Sequence, residues 1–193
     1  MAVSARRFWP LWLLLCLGQF AATASATPAN VDPTLRQRLV AAMADADKSS
    51  DQFDAEVWLT DMSARLRRRL PDDSERLQLL KGIYIEAKRA HLPPELVLAL
   101  IDVESNFDRF AISEAGAQGL MQVMPFWLKE IGHPKDNLFN QRTNLRMGCT
   151  ILRYYMDMEK DNITRALARY NGSTRSYRYP QRVYDALRTR WYK

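Results

Sequence analysis

The sequence predicts a mainly α-helical globular chain. Three observations carry that prediction. From Phe53 to Trp191, apolar residues recur every three or four positions, which is the period of a helix with one buried face. Helix punctuation brackets those runs: Pro94 and Pro180 suit first turns, Asp72, Asp73, Ser74, Asn144, Asp161 and Asn162 are candidate caps, and Asn171-Gly172 is a stop. No stretch alternates convincingly over a strand's length, and no internal repeat is visible. With 193 residues and 47% apolar content, the chain has enough material for one core with an appendage.

The N-terminus reads as an export signal: Arg6-Arg7, an apolar run from Phe8 to Phe20, then Ala24-Ser25-Ala26 as a cleavage site. The apolar run is about 13 residues, short of the roughly 20 a spanning helix needs. Leu13-Leu14-Leu15 before Cys16 is unlike a lipid-attachment box, which wants a small residue there. The expected organisation is a signal peptide over 1–26, a polar linker and helical extension over 27–75, and a helical globular domain over 76–193. Within the linker, Pro33 to Met43 has helical character, and the Asp- and Ser-rich stretch to Asp51 does not.

A helix from Phe53 to Leu70 carries Phe53, Val57, Trp58, Leu59, Met62 and Leu66, and ends in Arg65, Arg67, Arg68 and Arg69. Cations at a helix C-terminus complement its dipole, and contact with an anionic polymer or lipid is the alternative use. After the stop at Pro71, a helix from Ser74 to Ala90 is expected to bury Leu77, Leu80, Tyr84 and Ala87. His91 to Pro125 then reads as a helix to about Asn106, a loop and a second short helix. Phe126, Trp127, Leu128 and Ile131 follow as core or cleft wall. Three more helices are expected. Asn144 to Met158 presents Leu145, Cys149, Leu152 and Met156. The next turns Leu167 and Tyr170 inward, and the last, from Pro180, presents Val183, Tyr184, Leu187 and Trp191.

Composition excludes several classes. Cleavage after Ala26 removes two arginines and no acids, taking the net charge from +6 to +4. It also removes Cys16 and leaves Cys149 alone in an apolar helical pattern, so no disulfide, no metal site and no cofactor is expected. No basic run interleaved with aromatics points to nucleic acid.

The residue that breaks pattern is Glu104. On the helix after Pro93-Pro94, Leu96, Val97, Leu100, Ile101 and Val103 fall on one broad arc at roughly 100° per residue, and Glu104 falls inside it. Asp102 and Glu95 fall on the opposite side, expected to be wet. A carboxyl in an apolar arc holds its proton to higher pH, as a general acid must. A Glu at a frayed helix end, turned to water or paired with Arg109, is the plain alternative. Gly116 and Gly119 then free the backbone to approach a ligand, and Gln122 is an amide among apolar neighbours that needs partners, from sugar or from loop backbone.

Three ordered blocks, Glu104-Ser105, then Gly116-Ala117-Gln118-Gly119-Leu120-Met121-Gln122-Val123-Met124-Pro125, then Tyr170-Asn171-Gly172, resemble the soluble lytic transglycosylase (SLT) family. The resemblance runs from about Leu79 to Lys193. It implies a lysozyme-like, SLT-type helical domain of the goose-type-lysozyme-like group. It also implies a substrate, peptidoglycan glycan strands, and cleavage of the bond between N-acetylmuramic acid and N-acetylglucosamine without water. Glu104 is implied as acid and then base, Ser113 as a hydroxyl that orients the sugar, Gln122 and Met124 as contacts to N-acetyl groups. Tyr170 is implied as a hydroxyl bonded to the catalytic carboxyl, and Asn171 as cleft wall. On the residues alone, Ser113 as a loop cap, Met124 as core filler and Tyr170 as packing remain open. Gly172 directly follows Asn171 here, where the family commonly has one residue between.

The expected protein is thus a periplasmic or secreted monomer acting on peptidoglycan, with a cell-envelope or secretion-machinery protein as candidate partner. Two other readings stand beside it. One is a hydrolytic lysozyme with Asp108 or Glu114 holding the water. The other is a wall-binding scaffold without turnover.

Overall fold

The computed structural model describes residues 33–34, 37–38, 52–131 and 133–192. The export signal, its cleavage site, Cys16 and most of the linker lie outside the described residues. Among the described residues from Gln52 on, the α-helices are, in order, α1 Gln52–Leu66, α2 Asp73–Arg89, α3 Pro94–Glu104, α4 Phe126–Glu130, α5 Gln141–Met158, α6 Ile163–Tyr170 and α7 Arg178–Ala186, which widens into a π-helical turn, Leu187–Trp191. The described residues form no strand; two isolated bridges join Ile112 to Gln118 and Gln118 to Val123.

Starts and stops follow local chemistry. Asp72, Asn140 and Asn162 each accept a hydrogen bond from the backbone N–H three residues on. Pro93 and Pro94 open α3, where a missing N–H costs nothing. Gly172, at φ +73°, ends α6, and its N–H donates to the Arg169 carbonyl.

Helix α3 is the centre of the fold. Leu96 to Asp102 are all buried in it, as expected of a helix enclosed on every side. It packs against α2, α7 and the π-helical turn. Helix α1, within the segment 27–75 expected as linker and extension, adds buried Met62 and Leu66 to the core, and the Trp58 indole N–H donates to Glu95 Oε1 at 3.0 Å. Buried Glu86 ties α2 to α5, accepting from Arg146 Nε at 3.0 Å and Arg89 Nε at 2.6 Å. Cys149 is core, as expected, with burial pushing its thiol well up.

Several placements correct the expectations. Asp102 is not wet: its side chain is 5% exposed, and Oδ2 accepts from Arg69, Arg190 and the Trp191 indole. The helical wheel assumed one buried face, but Arg69, just past α1, and the π-helical turn cover the other. Leu77 is 39% exposed and Val57 57% exposed, since neither faces a neighbouring helix. Residues 105–125 contain no helix; the chain turns through left-handed Asn106, Phe107, Gly119 and Gln122 instead.

Asn144 does not cap α5. Asn140 does, and Asn144 is buried one turn further in. A buried amide needs partners. Asn144 Oδ1 accepts from the Met121 N–H at 2.8 Å, and its Nδ2 donates to the Gln118 and Leu138 carbonyls. This amide clamps the 111–123 loop onto α5. Gly119 makes the clamp fit: at φ +75°, a Cβ there would sit 2.4 Å from Asn144 Nδ2 and 2.6 Å from the Leu138 carbonyl oxygen. Gly119→Ala is therefore expected to cost about 2–4 kcal/mol in denaturant unfolding, from a left-handed alanine and a backbone clash together. A loss well under about 1 kcal/mol would mean the loop is not clamped this way.

Candidate active site

Glu104 is the last residue of α3, and the chain turns away at once through left-handed Asn106 and Phe107. Phe107 anchors that turn by packing edge-on against Trp191, ring centres 5.5 Å apart. The carboxyl is left partly buried, at the boundary between core and solvent. The Tyr179 hydroxyl donates to Glu104 Oε1 at 2.6 Å. Arg182, one turn along α7, donates to the Val103 carbonyl at 3.4 Å and carries its charge near the carboxyl.

Burial dominates the electrostatics. It pushes the Glu104 carboxyl up to about 7, against the smaller opposing pulls of the Tyr179 hydrogen bond and the Arg182 charge. The acid therefore exists in both protonation states near neutral pH, which general acid–base chemistry requires. Burial, followed by the Glu104 charge and hydrogen bond, holds the Tyr179 hydroxyl well above its ordinary range. Tyr179 thus remains a donor.

The raised acid has a consequence for stability. Between about 4.5 and about 7, folded Glu104 keeps a proton that the unfolded chain has lost. Stability is then greatest at the acid side and falls as pH rises through this window, by up to about 3 kcal/mol. Glu104→Gln removes the penalty. The melting temperature of this variant, relative to the parent, is expected to rise steadily from pH 4 to 8 (about 2–4 °C per kcal/mol). A pH-independent difference would contradict the raised carboxyl.

The other residues expected in the site are placed as follows. Tyr170 does not bond Glu104: its hydroxyl donates to the Met121 carbonyl at 2.7 Å. That carbonyl belongs to an irregular turn and needs a donor that a helix would otherwise supply. The Glu104 charge still raises the Tyr170 hydroxyl, behind burial, so the two lie close. Gln122 donates to the Ala111 and Gly119 carbonyls, bracing the loop. Ser113 is exposed, and its Oγ accepts from the Ala117 N–H at 3.0 Å. Met124 is half-buried against the core, and exposed Asn171 ends α6. The Ser105 hydroxyl bonds locally, to the Leu120 carbonyl at 2.8 Å. Trp127, Leu128 and Ile131 are core.

Among the remaining carboxylates, Asp102 is engaged by three donors and Asp108 Oδ1 accepts from the Phe110 N–H at 2.8 Å. Among the described residues, no three His, Cys, Asp or Glu side chains are grouped to hold a metal.

Sequence reasoning missed Tyr179. Reading Ser173 to Tyr179 as a loop left it outside the last helix. Helix α7 starts at Arg178, and the spacing of Tyr179, Val183 and Ala186, all buried, was the available signal. It also missed the exposed apolar shelf on the loop. Phe110 is 62% exposed, lies 6.1 Å from Phe139 between ring centres, and has the Arg109 guanidinium over it.

A helical domain whose central helix ends in one carboxyl, desolvated, hydrogen-bonded and titrating near neutrality, has the arrangement of a single-carboxyl acid–base site. The transglycosylase SLT domain model matches residues 83–190, more than half of the chain, and the chain belongs to that family. Its fold is accordingly the lysozyme-like helical fold of SLT domains. It is 33% identical over 98 residues to the protein named transglycosylase of Enterobacteria phage PRD1, covering 51% of this chain and 36% of that one. It is 39% identical over 87 residues to membrane-bound lytic murein transglycosylase C of Histophilus somni strain 2336, covering 40% of this chain and 24% of the relative. An inactive mutant of the lytic transglycosylase Slt of Pseudomonas aeruginosa superposes with a TM-score of 0.46 at 27% identity, over 59% of this chain and 19% of that one. The chain spans about a third of the first relative's length and about a quarter of the second's.

Proposed function

We propose that this chain is a peptidoglycan lytic transglycosylase in which Glu104 is both acid and base. The observation that carries the reading is the Glu104 carboxyl, raised to about 7 by burial and held by Tyr179, in a chain of the SLT family. Protonated Glu104 gives its proton to the glycosidic oxygen as the bond to the muramic C1 breaks. The resulting carboxylate takes the proton of the muramic C6 hydroxyl, whose oxygen closes onto C1 and leaves a 1,6-anhydro end. Glu104 returns to its protonated form, and no water is consumed. One carboxyl serves both steps in turn, whereas a hydrolytic glycosidase uses a pair.

Support for the single-carboxyl scheme comes from the neighbours. Asp102 is locked into its three donors and Asp108 into its own turn. In this reading the braced 111–123 loop, with Ser113, Gln122 and Met124, lines the sugar site beside Tyr170 and Asn171, and Phe110 offers a face for pyranose stacking. The relatives named membrane-bound fit an envelope location, to which the N-terminal signal would export residues 27–193. No helix among the described residues is long and apolar enough to cross a membrane.

The test is digestion of purified sacculi and mass analysis of the released fragments. Fragments lighter by one water than their hydrolytic counterparts are expected. Hydrated reducing ends would make the chain a lysozyme. Tight binding to sacculi with no release would make it a scaffold.

A further inference from the structure

On the far side of α3 from Glu104 lies a charged concavity. Asp102 precedes Glu104 by two residues, about 200° around the helix, and its carboxylate organises a groove of about 540 Å³ lined by Ala64, Arg65, Arg68, Arg69, Arg190 and Trp191. Three of the four guanidinium groups are pinned. Arg69 donates to Asp102 Oδ2 at 3.0 Å and sits 5.7 Å from the ring centres of both Phe107 and Trp191. Arg190 Nε donates to the same oxygen at 2.6 Å. Arg65 is bidentate on Asp61, at 2.9 and 2.7 Å, and its third bond goes to the Arg190 carbonyl. Arg68 is exposed and makes no hydrogen bond or ion pair with any described residue.

Four cations against the carboxylates of Asp61 and Asp102 leave two positive charges unmatched. Holding the network together does not require that surplus, and Arg68 adds nothing to it. Fixed, planar guanidinium groups with unused N–H donors are suited to bidentate recognition of carboxylates. The glycan of the proposed substrate is built of uncharged N-acetyl groups and hydroxyls apart from the lactyl branch. Its anionic chemistry is in the stem peptides, which carry free carboxylates at short intervals. The groove is concave, a shape that suits a short acidic peptide better than a flat lipid surface.

We propose that this groove is a second binding site, separate from the Glu104 site, that takes carboxylates of peptidoglycan stem peptides. The proposal rests on the reading of peptidoglycan as the substrate. A chain docked there holds the wall through a peptide on one side of α3 while the glycan lies on the other.

The experiment uses the full chain carrying Glu104→Gln, so that binding is measured without turnover. Cosedimentation is compared on intact sacculi and on sacculi whose free peptide carboxylates have been converted to neutral amides, which leaves the glycan and the cross-links in place. Adding Arg68→Glu is expected to weaken binding to intact sacculi by about fivefold or more, with no loss on the amidated sacculi and an unchanged melting temperature. Arg67→Glu, an exposed neighbour with the same charge change that does not line the groove, is expected to alter binding less than about twofold. Equal losses from the two variants would reduce the groove to general surface charge and overturn the proposal. A loss that persists on the amidated sacculi, or one seen only on vesicles of anionic phospholipid, would also overturn it. Release of anhydro fragments by the unmutated protein, read in parallel, separates the two ideas. If fragments are released and Arg68→Glu has no effect, the groove proposal alone fails. If none are released, the enzymatic reading fails.

Discussion

Glu104→Gln is expected to reduce release of fragments from sacculi by about a thousandfold or more, while the protein stays folded and still binds sacculi. The magnitude follows from the two duties assigned to one group, since general acid and general base assistance each contribute about 10²–10⁴-fold. The substitution is nearly isosteric, and the amide oxygen can still accept from Tyr179, so the local packing that holds the site is retained. An amide has no proton to give at the glycosidic oxygen and no basic oxygen to receive one from the C6 hydroxyl. Activity within about tenfold of the parent would remove Glu104 from the chemistry and leave the raised carboxyl as a structural feature only.

Tyr179→Phe is expected to give the second largest effect, and its form is more informative than its size. The hydroxyl donates at 2.6 Å to Oε1, which both orients the carboxyl and favours its charged state. Loss of orientation should lower kcat by about ten- to a hundredfold, with little change in KM. Loss of the hydrogen bond should move Glu104 further up from about 7, so the alkaline limb of the pH–rate profile shifts to higher pH. A tyrosine that only fills space would lower the rate without moving that limb. Tyr170→Phe is the internal comparison. It loses a bond to the Met121 carbonyl and none to Glu104, so its damage should be to the loop, with the pH limb held nearly in place.

The two tyrosines also show where sequence reading works and where it stops. The helices were legible because their signals are local: Asp72, Pro94, Asn162 and Gly172 act within one turn of where they stand. The exposed or buried state of Asp102 was not legible, because a single helix's wheel carries no record of Arg69 and the π-helical turn closing over its second face. The 111–123 loop was legible in composition and not in shape. Its path is set by hydrogen bonds to Asn144, more than twenty residues away, and by a left-handed Gln122 that no propensity would assign. Glu104 stood out because a carboxyl among Leu100, Ile101 and Val97 is anomalous on its own helix. Its partner did not, because a tyrosine at a helix start is unremarkable until the helix is docked.

The buried acid is also the point at which function and stability oppose each other. The environment that keeps Glu104 protonated near neutrality is the one that makes its ionised form costly to the fold, so the site is least stable where the carboxylate is needed as a base. The expected gain in stability of Glu104→Gln at alkaline pH measures the same quantity that the kinetics measure from the other side.

The central claim is that one carboxyl, at the end of α3, is tuned to give and take a proton near neutral pH. The most direct measurement is titration of the Glu104 side-chain carboxyl by carbon NMR in the folded protein, parent against Tyr179→Phe. An apparent pKa of about 7 in the parent, rising when the hydroxyl is removed, is the expected result. A carboxyl that titrates near the ordinary 4.5 in both proteins would contradict the account.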